Sequence, residues 1–315
     1  MTSLLRHPED VRTLGFILTY YTLALGSYVA APSAAIAIIP LIVLTSIFSF
    51  ITAIATHNAV HTPVFKSRTA NRVFQVVLTL AYGHPVSAFV PGHNLSHHLH
   101  TQSRRDVMRT TKLRFRWNLL NQLLFLFVVA KDITRADLAY AIAMRTERPR
   151  WFRQYILEYT VFIGTQLVLA WASPWPFVQF ILIPHLFAAW GIVGINFVQH
   201  DGCDPDHPYN HSRNLVGDWM NFWFLNNGYH TIHHHHPGLH WSKLPEAHAR
   251  EIAPYIHPNL DQPSMLGYGF RAYIWPGTRV DYLGNPVVLP EEGPDESWIP
   301  GVDTTPSNVS LGAEA

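Results

Sequence analysis

Four long apolar runs set the plan of the chain: residues 14–31, 34–55, 155–171 and 177–198. Each approaches the ~20 residues that a helix needs to cross the hydrocarbon core of a bilayer. The second run carries no charge, and the third is interrupted only by Glu158 near its start. Buried helices of a soluble core are the other source of such runs, but uncharged stretches of this length are rare outside membranes. Pro32–Ser33 separates the first two runs and Ser173–Pro176 the last two, so the four runs read as two hairpins.

The remaining apolar segments are shorter. Val73–Val90 is broken by Gly83, His84 and Pro85 and reads as an interfacial helix or a re-entrant segment. Leu119–Ala130 is too short to span and reads as a second interfacial helix. Beyond His200 the chain turns polar, a helix starts near Asp218, and Trp241–Ile256 is amphipathic. Residues 276–315 are rich in Pro, Gly, Asp and Glu, which predicts a disordered tail behind a single membrane domain over 1–275. Met1–Arg12 is polar and does not resemble a cleavable signal. The fold class expected is all-α integral membrane: four transmembrane helices in two hairpins, interfacial helices and a histidine-rich cytoplasmic cap.

Charge adds orientation. The formal net charge is +1, so no global field argues for a nucleic-acid partner. Charged residues are 14% of the chain, below the ~25% of a typical soluble protein. Neither hairpin tip carries Lys or Arg, whereas the segments 66–72, 104–116 and 145–153 carry many. By the positive-inside rule the tips face away from the cytoplasm, and both termini and all the connecting segments face it. The single cysteine, Cys203, excludes an internal disulfide, a Cys-based zinc site and an iron–sulfur cluster within the chain.

Histidine carries the candidate chemistry. His230, His233 and His234 form H-x-x-H-H, in which His230 and His234 share a helix face. His57 and His61 are an i, i+4 pair, His93, His97 and His98 form H-x-x-x-H-H, and Asn196 and His200 are a fourth spaced pair. Neutral imidazole is the commonest protein ligand for borderline metal ions. The topology comes from hydropathy and charge alone, yet it puts all four groups on the cytoplasmic side. Nine histidines are too many for one ion with about six ligands and suit two. His7, His84, His185, His207, His211, His248 and His257 read as surface or satisfied core residues. His100, His235, His236 and His240 are left between supporting and surface roles.

The pattern resembles the membrane fatty-acid desaturase and hydroxylase superfamily. The resemblance rests on His57–His61 as a first histidine box, His93–His98 as a second and His230–His234 as a third, in that order between the spans, and covers about residues 14–241. It implies a di-iron centre held by His57, His61, His93, His97, His98, His200, His230, His233 and His234, with Asn196 approaching through water. No catalytic side chain beyond the metal ligands is implied. Box two is H-x-x-x-H-H where many desaturases have H-x-x-H-H. That longer form, and the Asn196–Gly202 stretch, also resemble alkane hydroxylases.

The function implied is dioxygen-dependent oxidation of an unactivated C–H bond in a long acyl chain. Desaturation is the first reading; hydroxylation or terminal-alkene formation is the alternative. Electrons have to come from a separate donor: a ferredoxin, a rubredoxin or cytochrome b5 with its reductase. The basic stretches suit such an acidic donor or an acyl carrier, and equally anionic lipid headgroups. A histidine-rich metal transporter would place ionisable residues inside the spans, where only Glu158 and His185 occur. A metal-dependent hydrolase would need a carboxylate base, and no H-E-x-x-H pairing appears.

Overall fold

The computed structural model describes residues 4–299. It is mostly helical, with a single pair of two-residue parallel strands among the described residues, β1 (Asn214–Leu215) and β2 (Asp261–Gln262). Four helices are long and apolar enough to cross a membrane: Pro8–Ala30, Ala35–His61, Pro149–Ala172 and Pro174–His200. They are called α1, α2, α5 and α6 below. Each covers one of the apolar runs to within a residue and extends past at least one end of it. Hydropathy marks where the chain stops being apolar, whereas a helix continues for as long as its backbone is satisfied. The overhangs matter: α2 carries His57 and His61 near its C-terminal end, and α6 ends on His200.

The chain divides into two compact units. Among the described residues the first comprises 4–90 and 141–192. Here the outer faces of the spans are apolar and exposed, as at Ile36, Ile39, Leu167 and Val168. Trp171 and Trp175 flank the second hairpin tip and are 88% and 74% exposed, an arrangement typical of an interfacial aromatic belt. Inside, Tyr20, Ala24, Ala81 and Ile181 form a core cluster with Tyr28, Phe48 and Leu169. The tyrosines are satisfied by hydrogen bonding. Tyr21 Oη donates to Val77 O at 2.6 Å, Tyr28 Oη donates to Leu169 O at 2.8 Å, and Tyr20 Oη pairs with His185 Nε2 at 2.8 Å.

Helix α3 (Arg68–Tyr82) and the helical stretch Val86–His100 meet at 85°, the broken geometry expected of a re-entrant segment. Gly83 makes the corner with φ +81°, and a Cβ there would lie 2.2 Å from His185 Cγ. Only glycine fits both constraints. Glu158 explains itself at this corner. It is fully buried, its Oε2 accepts from Ser87 N at 2.7 Å, and its Oε1 accepts from Gln154 Nε2 at 2.9 Å. A buried carboxylate needs such partners.

The second unit comprises 91–140 and 193–299 of the described residues. Leu119–Ala130, expected as a short interfacial helix, is the first part of the 30-residue helix α4 (Asn118–Glu147). The charges after Ala130 end an apolar run, but the Ala-rich continuation still favours helix. Phe125 and Val129 of α4 pack with Val107, Met108, Leu113, Phe197 and Tyr273 as the unit's core.

Residues 276–299 also differ from the expected disordered tail. Trp117 bridges Thr278, and Asn118 N donates to Gly277 O at 2.8 Å. Arg279 is 8% exposed and ion-paired with Asp201. Composition signals disorder only where a segment has nothing to neutralise its charges or pack its apolar residues; this one has both. The rest of the expected tail, 300–315, lies outside the described residues.

Candidate metal centre

Box two is wound unusually. Val90–His97 is a π-helix that continues into an α-helical turn, His98–His100. The wider winding departs from ordinary helical spacing, and such π segments are frequent at functional sites. Box three is the short helix α7 (His230–His235). Its start is fixed by side chains: Asn214 Oδ1 accepts from Thr231 N at 2.8 Å, and Thr231 Oγ1 pairs with Ser212 Oγ at 2.9 Å. Gly228, just ahead of it, lies against β1, where a Cβ would come 2.1 Å from Leu215 O.

In the second unit these elements converge. His97, His200, His230 and His234 offer ring nitrogens that all lie within 4.8 Å of one another. His200 Nε2 and His230 Nε2 are 2.9 Å apart, and His234 Nε2 is 3.1 Å from His230 Nε2. Ligands sitting about 2.1 Å from a shared ion would be separated by about 3 Å, as these are. Beside this group, His98 Nε2 lies 3.1 Å from His93 Nε2 and 3.2 Å from His233 Nε2. The rings of His98 and His234 stack at 4.4 Å, so the two groups are immediate neighbours.

In the first unit, His57 and His61 face each other with centroids 5.2 Å apart, and His57 Nδ1 lies 3.3 Å from Asn58 Oδ1. Asn196 Nδ2 donates to Met108 O at 3.2 Å.

The donor set fits a metal ion on a specific observation at His97. Its Nδ1 is bonded to Asp106 Oδ2 at 2.9 Å, while its Nε2 is buried with no hydrogen-bond partner among the described residues. A carboxylate on one ring nitrogen fixes the tautomer and leaves the other lone pair for a metal. His200 is held likewise, its Nδ1 3.1 Å from His211 O. Burial first, and then the nearby His98 and His230, keep the His234 imidazole well below its ordinary range. It is therefore neutral, the form that ligates.

One supporting residue, Asp106, is absent from the sequence reading, and other histidines find their partners only in the fold. Asp106 is fully buried and also accepts from Gln102 N and Met108 N at 2.9 and 2.8 Å. It lies nine positions from His97 in an arginine-rich segment, with no spacing to mark it. His211, read as a surface or satisfied core residue, has its ring 5.5 Å from that of His234. His248 is 4% exposed and bonds Asp261 Oδ2 at 3.0 Å, so of its two expected roles it takes that of a satisfied core residue, in the frame around β2. Of the four left open, His236 is exposed and pairs with Glu251 at 2.7 Å, and His235 reaches Pro208 O at 2.7 Å. His240 caps a helical turn by accepting from Ser242 N.

No curated protein matches the chain. The spans, the histidine boxes and the converging ring nitrogens agree with the family model described as fatty acid desaturase, which matches residues 32–263, most of the chain; the protein belongs to that family.

Proposed function

We propose that this protein is a dioxygen-dependent di-iron membrane enzyme that desaturates a long acyl chain. The observation that carries the reading is the pair of neighbouring histidine groups, with the buried Nε2 of His97 turned toward one of them. We assign His97, His200, His230 and His234 to one iron. We assign His93, His98 and His233 to the other, completed by His57 and His61 as the first box of the family, with Asn196 contributing through water. When bound, such an iron pair supplies the oxidation of an aliphatic C–H bond, which side chains alone cannot perform.

The chain's own residues supply position. Asp106 and the His211 carbonyl orient His97 and His200, and Asn214 fixes the start of the third box. Product selection then depends on where the acyl carbons rest, to within about 1 Å. The positive-inside distribution supports a centre on the cytoplasmic side, with a separate redox protein supplying electrons. Hydroxylation is the second reading, favoured by the longer spacing of box two. A transporter is disfavoured because Glu158 and His185 are tied into hydrogen bonds within their own unit.

The test is metal analysis of the purified protein, with dioxygen uptake on adding reductant, and lipid profiling of host cells with and without the gene. Iron, uptake and a new unsaturated acyl species are expected. Stoichiometric zinc with activity retained, or an unchanged lipid profile alongside metal export, would discard the reading.

A further inference from the structure

The basic segment that follows box two is not bare. Arg104, Arg105, Arg109, Lys112 and Arg114 lie under the acidic segment Pro290–Glu296. Arg109 is ion-paired with Asp295, and Lys112 Nζ meets the other Asp295 oxygen at 2.7 Å. Arg114 Nε is 3.1 Å from Glu292 Oε1, and Arg105 Nε is 3.5 Å from Glu296 Oε2. Arg104 donates to Glu291 O at 3.4 Å and accepts from Glu296 N at 2.9 Å through its own carbonyl. An open cleft lies beside these contacts, lined by Val128, Asp132 and Arg135 of α4, so charge more than close packing holds the acidic segment down. Two residues later Trp298 packs against the core cluster of this unit.

We propose that this basic face is the docking surface for a small acidic one-electron carrier protein, and that Glu291–Glu296 is a built-in strap that competes for it. The inference rests on the redox reading above. The strap shows what the face fits: a polypeptide presenting several carboxylates. Anionic lipid is the other occupant a basic face could take, and the test below separates the two. Geometry favours an electron carrier over an acyl carrier. Arg105 O accepts from Ser96 Oγ at 2.8 Å, and the next residue, Asp106, holds His97. A docked redox protein is thus a single residue and one hydrogen bond from a proposed metal ligand. The strap, anchored through Trp298, stays at high local concentration and must be displaced. Exposed ion pairs exchange readily and weaken with salt, as such a device requires.

The test uses the full chain in lipid nanodiscs and a plant-type ferredoxin as the acidic probe. Binding is measured by biolayer interferometry at low ionic strength. Replacing Glu291→Gln, Glu292→Gln, Asp295→Asn and Glu296→Gln together is expected to tighten ferredoxin binding at least tenfold. Adding Arg109→Gln and Lys112→Gln to that variant should abolish the gain. Unchanged affinity in the strap variant overturns the proposal, as does a gain that survives loss of Arg109 and Lys112. A gain for phosphatidylglycerol vesicles without one for ferredoxin assigns the face to lipid and also overturns it. Hydrogen exchange at 290–299 in the wild-type chain is the second measurement, and no rise at saturating ferredoxin counts against displacement. Neither readout needs turnover, so a failed desaturation assay and a failed docking assay are separate results.

Discussion

Asp106 holds His97 by one carboxylate oxygen at 2.9 Å, and the other oxygen accepts the amide of Met108 at 2.8 Å. The same side chain therefore fixes a ring and the loop beneath it. Asp106→Asn keeps the shape but removes the charge that favours the Nδ1–H tautomer. Metal affinity is expected to fall about 10- to 100-fold, while helical content stays at the wild-type level. Metal titration followed by circular dichroism checks both, and unchanged affinity would show that Asp106 braces the loop alone.

Metal stoichiometry tests the division into two groups. The wild-type chain should hold about two irons. His234→Ala should strip the group of His97, His200 and His230 of one ring, and His98→Ala should do the same to its neighbour. Each variant is expected to retain about one iron and no turnover, as is His61→Ala. A proper control is an exposed histidine such as His236, whose pairing with Glu251 is a surface contact of little energetic weight. His248 is unsuitable because it is buried against Asp261. If His236→Ala also lost metal, the measurement would be reporting folding.

Arg279 reaches across the second unit. It donates to Asp201, next to His200, and to Leu113 O and Thr110 O. Arg279→Met leaves Asp201 buried without its partner and strips two carbonyls of a donor. Breaking one side of a buried pair costs about 3–5 kcal/mol, so a clear drop in the thermal midpoint is expected in detergent. A midpoint within a degree or two of wild type would mean that residues 276–281 are not part of the packed unit.

What could be read from the sequence divides along physical lines. The four spans were legible because lipid demands unbroken apolarity, and that leaves a signal in every residue of a run. The boxes were legible because a helix converts metal geometry into short fixed spacings. Asp106, His211 and Arg279 were not, because each works through a partner brought near only by folding; Arg279 is 78 positions from Asp201. The same limit explains residues 276–299. Their composition describes a chain without partners, and the basic loop that neutralises their acids is far away in sequence.

The acidic strap should respond to pH through Asp295. Partial burial pulls its carboxyl upward, but hydrogen bonds and charge pairing with Lys112 and Arg109 outweigh this and hold it below the usual 3.8. A depressed carboxyl stabilises the strapped state above its unfolded pKa and loses that contribution as pH falls through the folded value. The cations facing Asp295 are Arg109 and Lys112, and Asp132 is the other carboxylate on Lys112. Hydrogen exchange at 290–299 is therefore expected to stay low around neutrality and rise only below about 3.8. Release between pH 5 and 7 would require a different titrating group.

The last expectation concerns the product. Asn227-Gly228-Tyr229-His230 ahead of box three resembles desaturase strings, whereas the H-x-x-x-H-H spacing of box two resembles hydroxylases. The two outcomes share the loss of a first hydrogen. They differ in whether a second hydrogen leaves the neighbouring carbon or an oxygen atom enters, a choice set by sub-ångström placement of the chain. A fatty acid deuterated along its length, fed to a host expressing the protein, separates them. The proposed reading expects an acyl product lacking two deuteriums and carrying no new oxygen. An alcohol labelled with oxygen-18 from dioxygen would instead make the protein a hydroxylase, with the histidine centre unchanged and the acyl chain seated differently against it.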